Sequence, residues 1–212
     1  MRGRNKPWAN DYINDNAHLI YNKELEDNKP LTLEVGIGKG DFIIANAKAN
    51  PEFIHIGVEL NTSIFAIAMK KVVNDGVDNI KMLNIKALDL PLHIKENSIS
   101  KLYLNFSDPW PQNGYRKRRL VHPLHLEVFE SLLKDNGELI FKTDNFKLFE
   151  MAVNNFKVRN YEITFLSYDY QTVEKDYVSE YEARFRALGQ PIYRIAAKVN
   201  KSELKPWGEA IK

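Results

Sequence analysis

The 212-residue sequence is 44% hydrophobic and 27% charged, with a net charge of +2 and no cysteine. Such a chain is expected to form one soluble domain with a sizeable core, and disulfide frameworks and cysteine-based zinc or redox centres are excluded. No apolar run approaches the ~20 residues of a membrane span and the basic N-terminus lacks a signal peptide's apolar segment, so a cytoplasmic protein with no membrane partner is expected.

The opening "MRGRNK" holds three cations and no acid. "LTLEVGI" (31–37) is short, apolar and β-branched and predicts a first strand running into glycines, with a helix starting near Asp41. "FIHIGVEL" (53–60) predicts a second strand. Ile64, Ile67, Ala68 and Val72 then recur at helical spacing up to Asp75-Gly76. "IKMLNIKA" (80–87) and "SKLYLNFS" (100–107) predict the third and fourth strands. Leu126, Phe129, Leu132 and Leu133 predict a helix after Pro123 and before Asn136-Gly137. "ELIFKTD" (138–144) predicts the fifth strand. Strands alternating with helices imply an α/β fold with a mostly parallel sheet covered on both faces. "YEITFLSYDY" (161–170) and "PIYRIAAKV" (191–199) flank a charged segment able to hold a short helix, and predict a closing antiparallel pair.

The turn "EVGIGKG" places Gly36, Gly38 and Gly40 between strand and helix, where a ligand can approach the backbone. A P-loop fails because Gly40 follows Lys39 where Lys-Ser or Lys-Thr is needed. A dinucleotide fingerprint fails because Asp41 occupies its third glycine position and would repel a pyrophosphate. S-adenosyl-L-methionine carries no phosphate and has a positive sulfonium and ammonium, so it welcomes Glu34 beside Gly36 and Gly38. Glu59, at the end of the second strand, suits hydrogen bonds from both ribose hydroxyls. Asn84 and Lys86, at the end of the third, are expected to flank the adenine. The same glycines could form a ligand-free turn, and the rival enzyme class is a nicotinamide oxidoreductase.

The fourth strand ends in "LYLNFSDPWP" (102–111), where two prolines remove backbone donors and bracket Trp110 beside Asp108. The segment is either a Pro-rich strand exit whose Trp110 caps the core or a rigid lip presenting an acceptor and an aromatic plane. "RKRR" (116–119) follows, either a solvated face or a polyanion site. Asp144 ends the fifth strand and could bind a ligand or cap a helix. Ser179, Glu180, Tyr181 and Glu182 have the spacing of a capping box, compatible with a substrate contact. His122 and His125 share a helical spacing but no third ligand is in view, so no metal is expected.

"RGRNKPWA", "EVGIGKG", "GVEL", "NFSDPWP", "FKTDN" and "SEYEARFRALGQPIYR" together resemble, in this order, the bacterial tRNA (guanine-N7)-methyltransferases. The resemblance spans nearly the whole chain. It implies a class I S-adenosylmethionine-dependent methyltransferase fold, a seven-stranded mostly parallel sheet with strand order 3-2-1-4-5-7-6, and methylation of the variable-loop guanosine 46 of tRNA. By that likeness Glu34, Glu59 and Asp108 lie on the cofactor side, with Asp108 also the catalytic residue, while Asp144 and Ser179 to Glu182 hold the nucleoside or its tRNA. The family's substrate lysine falls on Gln112, and Lys86 stands where relatives tend to have an acid. A single domain is expected over 1–212, with a basic arm and helix in 1–30 and the catalytic core in 31–212. An RNA-binding module without catalysis would lack the glycine loop or Asp108. Monomer and homodimer are both left open.

Overall fold

The computed structural model describes residues 6–24, 29–171, 177–178 and 180–208, with the backbone alone of residue 180. In chain order the elements are α1 (Ala9–Asp15), β1 (Leu31–Val35), α2 (Asp41–Ala49), β2 (Ile54–Val58), α3 (Thr62–Asp75), β3 (Ile80–Leu83) and α4 (Leu90–His93). They continue with β4 (Ile99–Asn105), α5 (Pro123–Leu132), β5 (Leu133–Thr143), α6 (Phe146–Arg159), β6 (Glu162–Ser167), α7 (Glu180–Ala187) and β7 (Tyr193–Val199). All seven strands form one sheet in the order β3-β2-β1-β4-β5-β7-β6. Neighbours are parallel except β7, which runs antiparallel to both β5 and β6. The parallel majority and the late antiparallel pair are as the sequence predicts, and the strand order is the one the resemblance implies.

Alternation along the strands gives the sheet two unlike faces. On one, Leu33, Ile56, Leu102, Leu104, Leu139 and Phe141 pack with Leu126 and Phe129 of α5 and Phe149 and Phe156 of α6. On the other, α2 and α3 pack over β2 and β3 through Ile43, Phe65, Met69 and Met82, and Phe42 of α2 reaches Tyr103 of β4. Gly57 lets α2 seat closely, since a Cβ there would stand 2.8 Å from Ile43 Cδ1. Toward β4, β5 and β7 this face turns polar, with Lys101, Tyr103, Glu138 and Arg194 lining a cavity of about 420 Å³.

Side-chain caps fix where the helices begin. Asn61 Oδ1 accepts from Ile64 N at the start of α3, and Asn145 Oδ1 from Leu148 N at the start of α6. His122 Nδ1 accepts from Leu124 N ahead of Pro123, which gives that histidine a structural role at the start of α5. Gly76, at φ 61°, ends α3 where the sequence predicts.

Two expectations shift. In α3 the buried face centres on Phe65, Ala68, Met69 and Val72, while Ile64 and Ile67 are half-buried. Positions 64–69 of that helix are all apolar, so the period is legible but its phase is not. Leu133, predicted as helical, begins β5 and pairs with Ile99. Asn136-Gly137 does not separate helix from strand. It kinks β5 internally, with Asn136 at φ 58° where the β4–β5 register slips. Among the described residues no helix is long and apolar enough to cross a membrane.

α5, α6 and the start of β6 are tied by one buried carboxylate. Glu130 takes a two-pronged bond from Arg159, Nε to Oε1 at 2.8 Å and Nη2 to Oε2 at 2.7 Å, and a third from Tyr161 Oη at 2.7 Å. Glu130→Ala leaves a guanidinium and a phenol without their acceptor. It is expected to lower stability by about 3 kcal/mol, the lower end for a broken buried pair because Arg159 keeps some solvent contact. A urea titration should show a lower midpoint with an unchanged slope, and a loss under about 1 kcal/mol would deny the network that role.

Candidate active site

β1 and β2 end side by side, and the glycine loop is folded back onto them. Gly36 N and Ile37 N both donate to Val58 O, at 2.8 and 3.1 Å. Gly36 at φ 84° and Gly38 at φ 54° take left-handed conformations that a side chain would strain, and a Cβ on either would project into open space. The loop therefore offers bare backbone to whatever lies above it.

The two acids beneath it differ. Glu34 is buried, and its Oε1 accepts from Asn105 Nδ2 at 3.0 Å. Its Oε2 has no partner among the described residues, nor do the neighbouring buried Asn105 Oδ1 and Ser107 Oγ. Burial pushes the Glu34 carboxyl up to about 8, against the Asn105 hydrogen bond and the Lys142 charge and aided by Asp41 and Glu59. Glu59 is half-buried and braces the loop, its Oε2 accepting from Gly38 N at 3.1 Å and its Oε1 from Asn61 N at 2.8 Å. Burial raises its pKa too, and Asp108 is close enough to add to the shift. Each Glu59 oxygen keeps a second lone pair, so a ribose hydroxyl can still donate to it. Orphaned acceptors and a buried acid under bare backbone suit a cation with hydroxyls; S-adenosylmethionine fits this donor set and a pyrophosphate does not.

Asn84 and Lys86 were expected at the adenine. The Asn84 amide instead holds the turn after β2, donating to Glu59 O at 2.7 Å and Leu60 O at 3.2 Å and accepting from Thr62 Oγ1 at 2.9 Å. It positions Glu59. Lys86 is exposed at the start of a short turn and presents its backbone there.

Asp108 is exposed beyond the end of β4, on the same sheet edge. Its loop is strained: Phe106 at φ 51° and Trp110 at φ 43° are bulky residues in left-handed conformations, each costing about 1–3 kcal/mol. Trp110 is not a bare plane. The Arg118 guanidinium lies 4.9 Å from its ring centroid and 4.6 Å from that of Tyr115, which meets Trp110 edge-on. Gln112, Arg116 and Lys117 are exposed. Part of "RKRR" is thus turned back on the Asp-Pro-Trp-Pro loop.

Asp144 follows β5 half-buried, and since Asn145 caps α6, Asp144 is left available at the edge. Its strand neighbour Lys142 was missed from sequence. Only 1% exposed, Lys142 donates to Glu182 Oε2 at 2.9 Å and to Tyr177 O at 3.3 Å. Glu182, 0% exposed, also takes Arg186 Nη2 on its Oε1 at 2.6 Å. Glu182 therefore docks α7 on the sheet, its buried carboxylate bonded to two cations. Tyr181, 54% exposed, faces Phe106 at 6.1 Å and stays open to substrate. Ser179 and the Glu180 side chain lie outside the described residues. The signal for Lys142 was a lone lysine inside "ELIFKTD", an anomaly in a buried strand. None of the expected site residues lines the 420 Å³ cavity.

Comparison with known proteins agrees with this geometry. A family model described as "Putative methyltransferase" matches residues 28–195. A tRNA (guanine-N(7)-)-methyltransferase of Oceanobacillus iheyensis is 40% identical over 95% of this chain and 100% of its own length. One from Bacillus subtilis is 39% identical over 92% and 97%. Among solved structures, the 16S rRNA (adenine(1408)-N(1))-methyltransferase of Catenulisporales acidiphilia, crystallised with cosubstrate SAM, superposes with TM-score 0.61, covering 96% of each chain at 12% identity. The 16S rRNA methyltransferase KamB gives 0.62 over 85% of this chain and 98% of its own, also at 12%. Those two show the fold alone. With the near-full-length relatives, the match and the glycine-loop geometry in agreement, the chain belongs to the bacterial tRNA (guanine-N7)-methyltransferase family.

Proposed function

We propose that the chain transfers a methyl group from S-adenosyl-L-methionine to N7 of guanosine 46 in the variable loop of tRNA. The observation that carries this reading is the sheet edge. Glu34, Glu59, Asp108 and Asp144 stand at or just beyond the C-terminal ends of β1, β2, β4 and β5, where open α/β sheets bind ligands, and Glu34 Oε2 is buried without a partner. The family match over 28–195 and a sheet running from 31 to 199 support one methyltransferase domain over 1–212, and a tRNA substrate would place it in the cytoplasm.

S-adenosylmethionine supplies an electrophilic methyl group on a sulfonium. Glu34 offers its unpartnered oxygen to the cofactor's cationic end, Glu59 its remaining lone pairs to the ribose, and Gly36 and Gly38 the close approach. Guanine N7 has a lone pair and no proton, so the residues at the edge need not include a general base. Asp108 and Tyr181 orient the purine. A carboxylate about 4 Å from the developing charge is worth ~4 kcal/mol at an effective dielectric of 20, but it attracts the sulfonium before transfer as well, so orientation is its larger contribution. Asp144 and Gln112 face the tRNA.

The direct test incubates bulk tRNA with labelled cofactor and analyses the nucleosides. 7-Methylguanosine, mapped to position 46, is expected, and 1-methylguanosine instead would falsify the substrate assignment. Asp108→Ala should remove most turnover with the fold intact, because its exposed side chain supports nothing else; parent-like turnover removes its catalytic role. Glu59→Ala should weaken cofactor affinity by about 1.5–3 kcal/mol, roughly tenfold to over a hundredfold, and calorimetry giving equal affinities would exclude the ribose contact.

The Glu34 carboxyl gives a pH signature. With a folded-state pKa near 8 it is neutral at pH 7. The stability it contributes is complete below the ordinary value of 4.5 and is lost as pH rises through 8. A cation bound at Oε2 requires the ionised form, so cofactor affinity should strengthen between about pH 6 and 8, by at most roughly tenfold per pH unit. Glu34→Gln should flatten that dependence; an equally steep profile in the variant places the titrating group elsewhere.

A further inference from the structure

Resting on the proposed reaction, we infer that Arg119, inside "RKRR", is a positioning residue that holds the Asp-Pro-Trp-Pro backbone in the shape presenting Asp108, and is not an RNA contact. Asp108 makes no hydrogen bond or ion pair among the described residues, so its place is inherited from the backbone that carries it. That backbone has little to hold it. The last ladder bond is Phe106 N to Lys142 O at 2.9 Å, and no other backbone–backbone hydrogen bond among the described residues reaches 107–111. Pro109 and Pro111 have no N–H to give.

Arg119 fills the gap. Its Nε donates to Pro109 O at 3.0 Å and Trp110 O at 3.3 Å, and its Nη2 to Trp110 O at 3.0 Å. Its Nη1 lies 3.6 Å from Met151 Sδ on α6, which anchors the fork to a packed helix. Arg119 is half-buried, whereas Arg116, Lys117 and Arg118 are exposed. A planar guanidinium spans two adjacent carbonyls, which an ammonium cannot do with the same geometry. The carbonyls it grips belong to Pro109 and to Trp110, whose φ of 43° ahead of a proline is among the least stable conformations in the loop. Without the fork the segment relaxes and Asp108 moves with it.

Arg119→Lys and Arg119→Ala separate this role from phosphate binding. Turnover at saturating tRNA is measured with tRNA affinity at several salt concentrations, the thermal midpoint, and hydrogen exchange of peptides covering 106–115. In both variants kcat should fall about tenfold or more, since small misplacements of a reacting group are costly. Affinity should stay within about twofold, the salt slope should not change, and exchange should quicken in 106–115 but not in the strands. A phosphate contact predicts the opposite: Lys binds and turns over like the parent, and Ala flattens the slope by about one unit while keeping kcat. That pattern overturns the proposal, as does unchanged exchange in 106–115. If Arg119→Ala lowers the midpoint, Arg119→Lys supplies the same comparison in a folded protein, with strand exchange as the check. A parent that methylates no tRNA, with faster loop exchange in the variants, supports the clamp while refuting the proposed reaction.

Discussion

A lysine buried in the middle of a sheet must find a carboxylate, and much of this active site follows from how Lys142 does so. At 1% exposure its ammonium cannot rely on water, and Glu182, fully buried, arrives from α7 to neutralise it. Arg186, one turn further along α7, joins the same carboxylate. Such a pair adds little net stability compared with apolar packing, but removing either member strands a charge, so the geometry is tightly specified. What it specifies is where α7 sits, and with it Tyr181 opposite Phe106. The same ammonium opposes the upward shift of the Glu34 carboxyl. One cation thus ties the placement of α7 to the charge state of Glu34.

The edge they share is built by topology and held by strain. Parallel strands β1, β2, β4 and β5 all deliver their C-terminal ends to it, so acids far apart in sequence converge without contacting one another. Glu59 is braced by its own loop and Asn84, and Glu34 by Asn105. Asp108 has no such brace, and its loop contains two bulky residues in left-handed conformations. The basic run beyond it divides between tasks. Arg118 stacks on Trp110 and Tyr115, and Arg119 grips the loop, while Arg116 and Lys117 face outward. A charge cluster that suggests a polyanion site thereby supplies internal structure as well.

What could be read from sequence follows the range of each signal. Strand alternation, glycine turns and helix-stop residues act over a few residues, and they placed the sheet, the loop "EVGIGKG" and the end of α3 at Gly76. Phase and boundaries failed where composition was uniform, as with Ile64 and Ile67 in α3, or where an apolar residue served either state, as with Leu133. The convergence of the acids on one sheet edge was legible because a parallel sheet brings its strand ends to the same side. Partners supplied by tertiary contact were not. Nothing near Glu182 in the chain announces Lys142, forty residues away, and the bond from Asn105 to Glu34 spans seventy-one. The commitment of the Asn84 side chain to Leu60 O and Thr62 is not legible either, because it depends on two strands meeting.

The insertion of β7 between β5 and β6 bears on how the molecule comes into being. β5 pairs with β4 on one side and waits for β7 on the other, and among the described residues β6 has no strand partner but β7. On a ribosome, β6 emerges before the strand it needs, and the open flank of β5 stays exposed until residues 193–199 have been made. Lys142 lies on that flank, paired in register with Arg194, and Glu182 reaches it from the segment between β6 and β7. The glycine loop, with its acids on β1 and β2, can therefore take shape early in synthesis, whereas the burial of Lys142 and the docking of α7 wait for the last strand. An incomplete chain would carry a nearly finished glycine loop beside a β5 edge still lacking the strand that covers Lys142.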